Sequence, residues 1–257
     1  MLAFLLAPVL FTYTLPSGKP TEFDMSVSFD GYLPILGGHT AKADLTMTAA
    51  VTKLEATPNG NPRATSEITA LKLIYNGAQM SFGVANVKEI FPKTTIEFSP
   101  QGRTLKTDAP DGKLPFRLPG LDPKRFPDIS YLPVEFPSEG IELNKPFKFK
   151  RQFGDTPVEY EVTPTAISDD SATVSIKLAQ TYTTFEDARR NSVEEADAAT
   201  KVTTKVEGAG TAVFDLKKGL VRNMELKADA ASHLINLKSQ VESDRKLTTT
   251  LKVSLKG

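Results

Sequence analysis

The sequence predicts a mainly β protein in which long antiparallel strands form two similar meanders, with few short helices. Three observations support this fold class. Apolar and polar side chains alternate over long stretches, which is the period of a strand with one buried face. Clusters of turn-forming residues separate these stretches at hairpin spacing. Helix signals are few and short. We expect the two meanders to form one curved sheet or a pair of half-barrels.

Alternating stretches occur in both parts of the chain. Met25, Val27 and Phe29 alternate with serines, and residues 43–51 continue the pattern. Each stretch predicts a strand with one face toward a core and the other toward water. The same period recurs at 158–162, 172–178 and 247–255, with turn clusters at 57–62 (TPNGNP), 168–171 (SDDS) and 217–219 (KKG).

Two short segments carry helix signals, and a third is ambiguous. Apolar residues between 84 and 91 share one face of a short helix that Pro92 would end. Ser192 and Glu195 have the spacing of a capping box, which predicts a second helix after them. Residues 228–244 fit either a helix or a strand, and the strands on both sides favour a strand.

The segment 110–137 differs in character from the rest of the chain. It holds seven of the eighteen prolines, and proline removes a backbone donor, so the segment does not belong inside a sheet. It is also too rich in leucine and aromatic residues for a free linker. We expect an extended strap that lies against the protein with its apolar side chains facing inward.

The strap divides the chain into a first β half, residues 15–109, and a second β half, residues 138–257. GKPTEF at 18–23 resembles NKPFKF at 144–149, and both halves contain a similar hairpin. An internal duplication would explain these pairs, and chance similarity among strands rich in Thr and Lys is the alternative. The paired hairpins are TIEFSPQGRTLKTDA at 95–109 and AVFDLKKGLVRNMELKAD at 212–229.

Residues 1–14 have two interpretations. LAFLLAPVLF, residues 2–11, is apolar and uncharged; it is too short to span a bilayer but fits the apolar core of a signal peptide. No Lys or Arg precedes it, and no clear small-x-small cleavage site follows. A signal peptide would place the protein in the periplasm or outside the cell. The alternative is a buried first strand.

Composition disfavours several classes of partner. The 31 basic and 31 acidic residues cancel, so no overall field attracts nucleic acid or an anionic membrane. The absence of cysteine excludes disulfides, thiolate nucleophiles and zinc–thiolate sites. No stretch is long and apolar enough for a transmembrane span, so we expect no nucleic-acid partner and no span.

The sequence contains no catalytic motif. His39 follows two glycines in a turn, and His233 lies in the ambiguous segment. Asp169 and Asp170 lie in a turn without the spacing of a calcium loop. We therefore expect a protein that is not an enzyme and has no cofactor or metal. A hydrolase that uses carboxylates from distant strands is the less favoured alternative.

Aromatic residues give the one lead toward a ligand. Several lie in or beside the strap, which could cover an apolar cavity of a curved sheet. The alternative is that these rings form the core that fastens the strap to the sheet. The candidate ligand-binding residues are Phe91, Phe116, Phe126, Tyr131 and Phe136.

The motifs VFDLKKGLV and SYLPVEFPSEGIELNKPFKFKRQF resemble a family of uncharacterised β-rich bacterial envelope proteins. More distantly, the pattern is similar to the half-barrel carriers of lipids and lipoproteins in the periplasm. These resemblances imply a secreted or periplasmic protein that binds an apolar small molecule or lipid in a cavity of the curved sheet. A purely structural component of the cell envelope is the alternative.

Overall fold

The structure, a computed structural model, describes residues 7–33, 38–80, 84–110, 126–153, 156–187 and 193–257. It confirms the mainly β fold class, and its strands form one curved, open antiparallel sheet rather than two half-barrels. The strands are β1 (Thr21–Leu33), β2 (His39–Leu54), β3 (Arg63–Tyr75), β4 (Ala78–Met80), β5 (Thr94–Phe98), β6 (Thr104–Asp108), β7 (Phe147–Phe153), β8 (Thr156–Ile167), β9 (Ser171–Glu186), β10 (Thr200–Asp215), β11 (Leu220–Asn236) and β12 (Glu242–Leu255). Two short helices are α1 (Val84–Ile90) and α2 (Phe126–Ile129).

The strands form a meander in which β1, the first strand along the sequence, lies in the middle of the sheet. The order is β6-β5-β3-β2-β1-β12-β11-β10-β9-β8-β7, with the short β4 paired to β3. The first half runs from the centre to the β6 edge. The chain then crosses to the opposite edge at β7 and returns strand by strand, until β12 pairs with β1. The two halves are therefore joined side by side, while their duplication and the exact division of the chain stay predictions.

The helices of the structure agree only in part with those that the sequence predicts. The predicted short helix is α1, which ends before Pro92. The ambiguous segment continues β11 as far as Asn236. Ser192 of the predicted capping box lies outside the described residues, and the signal after it gives a single 3₁₀ turn, Glu195–Asp197, with no side-chain cap at Glu194. The reason is that β10 begins at Thr200 and pairs with β9, which takes the residues that would extend the helix.

Alternation separates an inner face of the sheet from an outer face. In β1 the side chains of Phe23, Val27 and Phe29 are buried, whereas those of Asp24 and Ser28 are exposed or half-buried. This period of two gives the sheet one apolar face that must be covered. We call it the inner face.

Glycines allow the sheet to curve. Gly31 in β1 has φ +135°, and a Cβ there would collide with the Lys246 carbonyl oxygen of β12. At Gly210 in β10, a Cβ would collide with the Glu225 carbonyl oxygen and lie 2.7 Å from Leu226 Cα. Neighbouring backbones approach closely at both points, as they do where a sheet bends toward its inner face.

Two chain segments cover one end of the inner face. The first is residues 7–17, and the second is residues 126–137, which we call the covering segment. The rings of Phe11, Tyr13 and Phe136 pack together with Phe214 of β10 at centroid distances between 4.5 and 6.3 Å. This aromatic cluster fastens both segments to the sheet.

Residues 12–14 join the two similar hairpins. The Tyr13 N–H donates to the Pro100 carbonyl in the β5–β6 turn (2.8 Å), and the Thr14 N–H donates to the Gly219 carbonyl in the β10–β11 turn (2.9 Å). Within residues 7–17 the one β-bridge pairs Val9 with Ile141, so this segment buries the side chains of Phe11, Tyr13 and Leu15 without forming a regular strand. The signal peptide stays a prediction.

Candidate functional site

A cleft lies on the inner face between strands β7–β12 and the covering segment. Ten of the fourteen residues that line it are apolar, and the four with polar side-chain atoms are Arg151, Tyr160, Gln180 and Thr249. The cleft holds a cavity of about 40 Å³. We call it the inner cleft. Ile129 and Pro133 form its roof, and the sheet forms its floor.

The register of the strands explains which side chains line the floor. Leu178, Gly208, Ala228 and Thr249 stand opposite one another on four adjacent strands. A Cβ at Gly208 would lie 3.0 Å from both Ala228 Cβ and Leu178 Cγ, so these neighbours close over the glycine and form the floor. The next row holds Ile176, Gly210, Leu226 and Leu251, whose three side chains continue the lining.

Among the described residues that line the cleft, Arg151 is the one with a charged side chain. It is almost fully buried, with 4% of its side chain exposed. Its Nε donates to Glu135 Oε1 at 3.0 Å, and its Nη2 donates to the Leu132 carbonyl at 2.6 Å. Glu135 is itself only 14% exposed. The pair therefore neutralises Arg151 and anchors the covering segment to β7.

Two neutral polar groups of the cleft, those of Gln180 and Thr249, have capacity for further hydrogen bonds. The Gln180 amide donates to the Thr156 carbonyl at 2.7 Å, and its carbonyl oxygen has no partner among the described residues. The Thr249 side chain is largely buried, and within the described part of the chain its hydroxyl has no hydrogen-bond partner. Both oxygens keep some accessible surface, so a ligand or water in the cleft can reach them.

The outer face carries two wider grooves that differ from the inner cleft. They measure about 750 and 740 Å³ and are open to solvent. Their walls are mostly charged and hydroxyl side chains that pair with one another, as in Lys252–Glu225 at 3.3 Å and Lys148–Glu161 at 3.2 Å. Exposed ion pairs of this kind contribute little to stability.

The five candidate residues predicted from sequence do not converge on the inner cleft. Phe136 belongs to the aromatic cluster, and Tyr131 packs near Phe23 with ring centroids 6.5 Å apart. Phe91 is buried just after α1. These three are absent from the described lining of the cleft. Phe116 and the Phe126 side chain lie outside the described residues, and a ligand role for the five stays a prediction.

Sequence reasoning missed Arg151, Gln180 and Thr249. A signal for them was present in the alternation itself. In β9, for example, Gln180 follows Ile176 and Leu178 at the same phase, and a polar residue at an inward-facing position needs a partner. Arg151 and Thr249 occupy corresponding inward-facing positions in β7 and β12.

The candidate catalytic residues lie apart from the inner cleft. His39 Nε2 lies 2.6 Å from the Tyr75 hydroxyl, at the surface. The His233 imidazole contacts Asp244 at 3.0 Å and Glu242 at 3.6 Å on the outer side of the sheet. Among the described residues no three His, Asp or Glu side chains are grouped to hold a metal. Within the same residues, no helix is long and apolar enough to cross a membrane.

The Tyr13 side chain is buried and hydrogen-bonded, which indicates a structural role. Its hydroxyl donates to the Val134 carbonyl at 2.9 Å, and burial raises the pKa of its phenol. It therefore stays protonated at neutral pH and ties residues 7–17 to the covering segment.

Comparisons with known proteins found no matching protein family and no matching curated protein. Among solved structures, one described as "Lipid-protein interactions in lipovitellin" aligns with 94% of the chain at 14% identity and a TM-score of 0.47. The chain spans a quarter of that protein's length, 25%. A second solved structure, DynF from the dynemicin biosynthesis pathway of Micromonospora chersina, aligns with 100% of this chain and 93% of the DynF chain. The identity is 7% and the TM-score is 0.23.

Proposed function

We propose that the protein is a non-enzymatic binding protein that holds an apolar ligand or lipid in the inner cleft, between the sheet and the covering segment. The observation that supports this most directly is the cleft itself. Its wall is mostly apolar, yet it includes the hydroxyl of a largely buried threonine and a glutamine carbonyl without partners among the described residues. Ligand sites combine an apolar wall with a few polar groups in this way.

The covering segment must move for a ligand to bind. The cavity of about 40 Å³ is well below the roughly 150 Å³ that holds a benzene molecule. Arg151 holds the segment through Glu135 and the Leu132 carbonyl, and Tyr13 holds it through the Val134 carbonyl. We expect residues 126–137 to shift outward while the strands stay in place.

Export and the lack of enzymatic activity are part of the same proposal. The apolar, uncharged residues 2–11 support a signal peptide and therefore a secreted or periplasmic protein. Because Phe11 and Tyr13 pack in the core, we expect the folded protein to retain these two residues. The sequence lacks the nucleophile motifs of hydrolases, which supports binding rather than catalysis.

A matched pair of substitutions tests the site. Ala228→Phe places a ring on the floor of the inner cleft, whereas Ala209→Phe places the same ring on the outer face of the neighbouring strand. The purified protein is titrated with the lipophilic fluorescent probe N-phenyl-1-naphthylamine. We expect Ala228→Phe to weaken binding at least about 10-fold, a change of about 1.4 kcal/mol, and Ala209→Phe to leave it unchanged.

The titration has outcomes that contradict the proposal. If both variants bind the probe as the wild type does, the inner cleft is not the site. If the wild type binds no probe, the protein is not a carrier, and a purely structural role becomes the better interpretation. Circular dichroism of Ala228→Phe verifies that the sheet has formed, so that lost binding is not lost folding.

A further inference from the structure

We infer that the inner cleft selects an uncharged lipid that carries a hydroxyl or carbonyl group, and that it discriminates against fatty acids and other anionic amphiphiles. This inference rests on the proposed function and specifies its ligand. It follows from the charges and the unpaired hydrogen-bonding groups of the cleft.

The charge of the cleft wall is already balanced. Arg151 and Glu135 form a buried pair at 3.0 Å, with 4% and 14% of their side chains exposed. A fatty-acid carboxylate beside Arg151 would place a second negative charge next to Glu135 in an apolar site. Burying a charge without its own counter-ion is unfavourable, and so is separating Arg151 from Glu135 to provide one. Both routes disfavour an anionic head group.

The unpaired groups suit a neutral polar group instead. The Thr249 hydroxyl can donate or accept, and the Gln180 carbonyl oxygen can accept. Gln180 and Thr249 lie three strands apart, on β9 and β12, so one ligand group bonds to one of them: a ligand hydroxyl can donate to Gln180, and a ligand hydroxyl or carbonyl can accept from Thr249. Neither bond brings a charge into the cleft, and both satisfy groups that otherwise stay unpaired.

The arrangement of rows gives the ligand an orientation. Gln180 lies opposite Val206, and Thr249 lies in the next row, opposite Ala228. Beyond them the floor is purely apolar, with Ile176, Leu226 and Leu251 followed by Met224. A polar head bound at Thr249 therefore has its hydrocarbon chain over Leu251 and Leu226, running toward Met224.

The test compares three ligands of equal chain length on the wild-type protein. Dodecanol, dodecanoate and dodecane displace the bound probe N-phenyl-1-naphthylamine at pH 8, where the acid is ionised. We expect dodecanol to displace the probe at least about 10-fold more effectively than dodecanoate. If dodecanoate matches or exceeds dodecanol, the inference is overturned while the proposed function stands. If none of the three displaces the probe, the proposed function itself fails.

Substitution of Thr249 assigns the hydroxyl. Thr249→Val keeps the shape of the side chain and removes its hydroxyl, and Thr250→Val makes the same change on the opposite face of β12. We expect Thr249→Val to weaken dodecanol binding toward the level of dodecane, with Thr250→Val unchanged. Equal effects of the two variants would contradict the role of Thr249.

Substitution of Glu135 tests the charge argument. Glu135→Gln leaves the Arg151 charge unpaired, so the ratio of dodecanoate to dodecanol affinity should rise at least about 10-fold. Glu139→Gln, at an exposed position four residues away, is the control. An unchanged ratio in folded Glu135→Gln would contradict the argument. If Glu135→Gln does not fold, the comparison of dodecanol with dodecanoate on the wild-type protein decides the charge argument.

Discussion

Phe11→Ala is expected to destabilise the protein strongly, because residues 7–17 are part of its core. The Phe11 side chain is 3% exposed. Its ring centroid lies 4.5 Å from Phe136, 4.9 Å from Tyr13 and 5.2 Å from Phe214. Truncation of a buried phenylalanine costs about 3–5 kcal/mol. For a chain of this length each kcal/mol lowers Tm by about 2–4 °C, which gives a fall of roughly 6–20 °C.

Urea unfolding of the chain produced without export measures this effect, with circular dichroism as the signal. The adjacent Leu10→Ala is the matched control, because the Leu10 side chain is 68% exposed, and its free energy of unfolding should change by less than about 0.5 kcal/mol. The urea midpoint of Phe11→Ala should fall with an unchanged slope. Equal midpoints for the two variants would refute the placement of Phe11 in the core.

Two further predictions concern the sheet. Asp215→Asn should cost about 1–3 kcal/mol at pH 7, because the carboxylate accepts bonds from the Lys217 and Lys218 N–H groups and from Arg222. These hydrogen bonds, that from the Lys218 N–H first, lower the pKa of Asp215. The stability that the carboxylate contributes is therefore present above its unfolded pKa and is lost as pH falls through its folded pKa. A difference in unfolding free energy between wild type and Asp215→Asn that stays constant from pH 7 to pH 2 would contradict this. Gly210→Ala should cost about 1–3 kcal/mol in thermal unfolding, because the new methyl meets the β11 backbone, and an unchanged Tm would show that the strands there are not closely packed.

The strands were predictable from the sequence because each is long and has one buried face. Residues 23–30 of β1 and 41–49 of β2 alternate in burial with a two-residue period, which is the pattern of a strand with one buried face. The order of the strands was not predictable. The pairing of β1 with β12 joins residues from opposite ends of the sheet-forming chain, and alternation within a strand carries no information about its neighbour.

The candidate site was less predictable than the fold. Aromatic residues near the strap predicted a cavity there, but a ring such as Phe136 has the same sequence signature whether it packs in a core or contacts a ligand. Arg151 and Glu135 are sixteen residues apart and meet only because the chain turns back at β7. Ala228 of the cleft floor stands opposite Gly208 only through the register of β10 with β11.

The central position of β1 has a consequence for how the protein folds. Phe23 pairs with Leu255, and the register continues to Gly31 opposite Leu247. Such non-local pairing is slow to form, since most of the chain must be ordered before the contact is made. During synthesis, β1 pairs with β2 along one edge, and its other edge stays unpaired until β12 is complete. That unpaired edge includes Val27, whose side chain faces inward. That edge is a template for wrong pairing, so the sheet is most exposed to aggregation just before its last strand arrives.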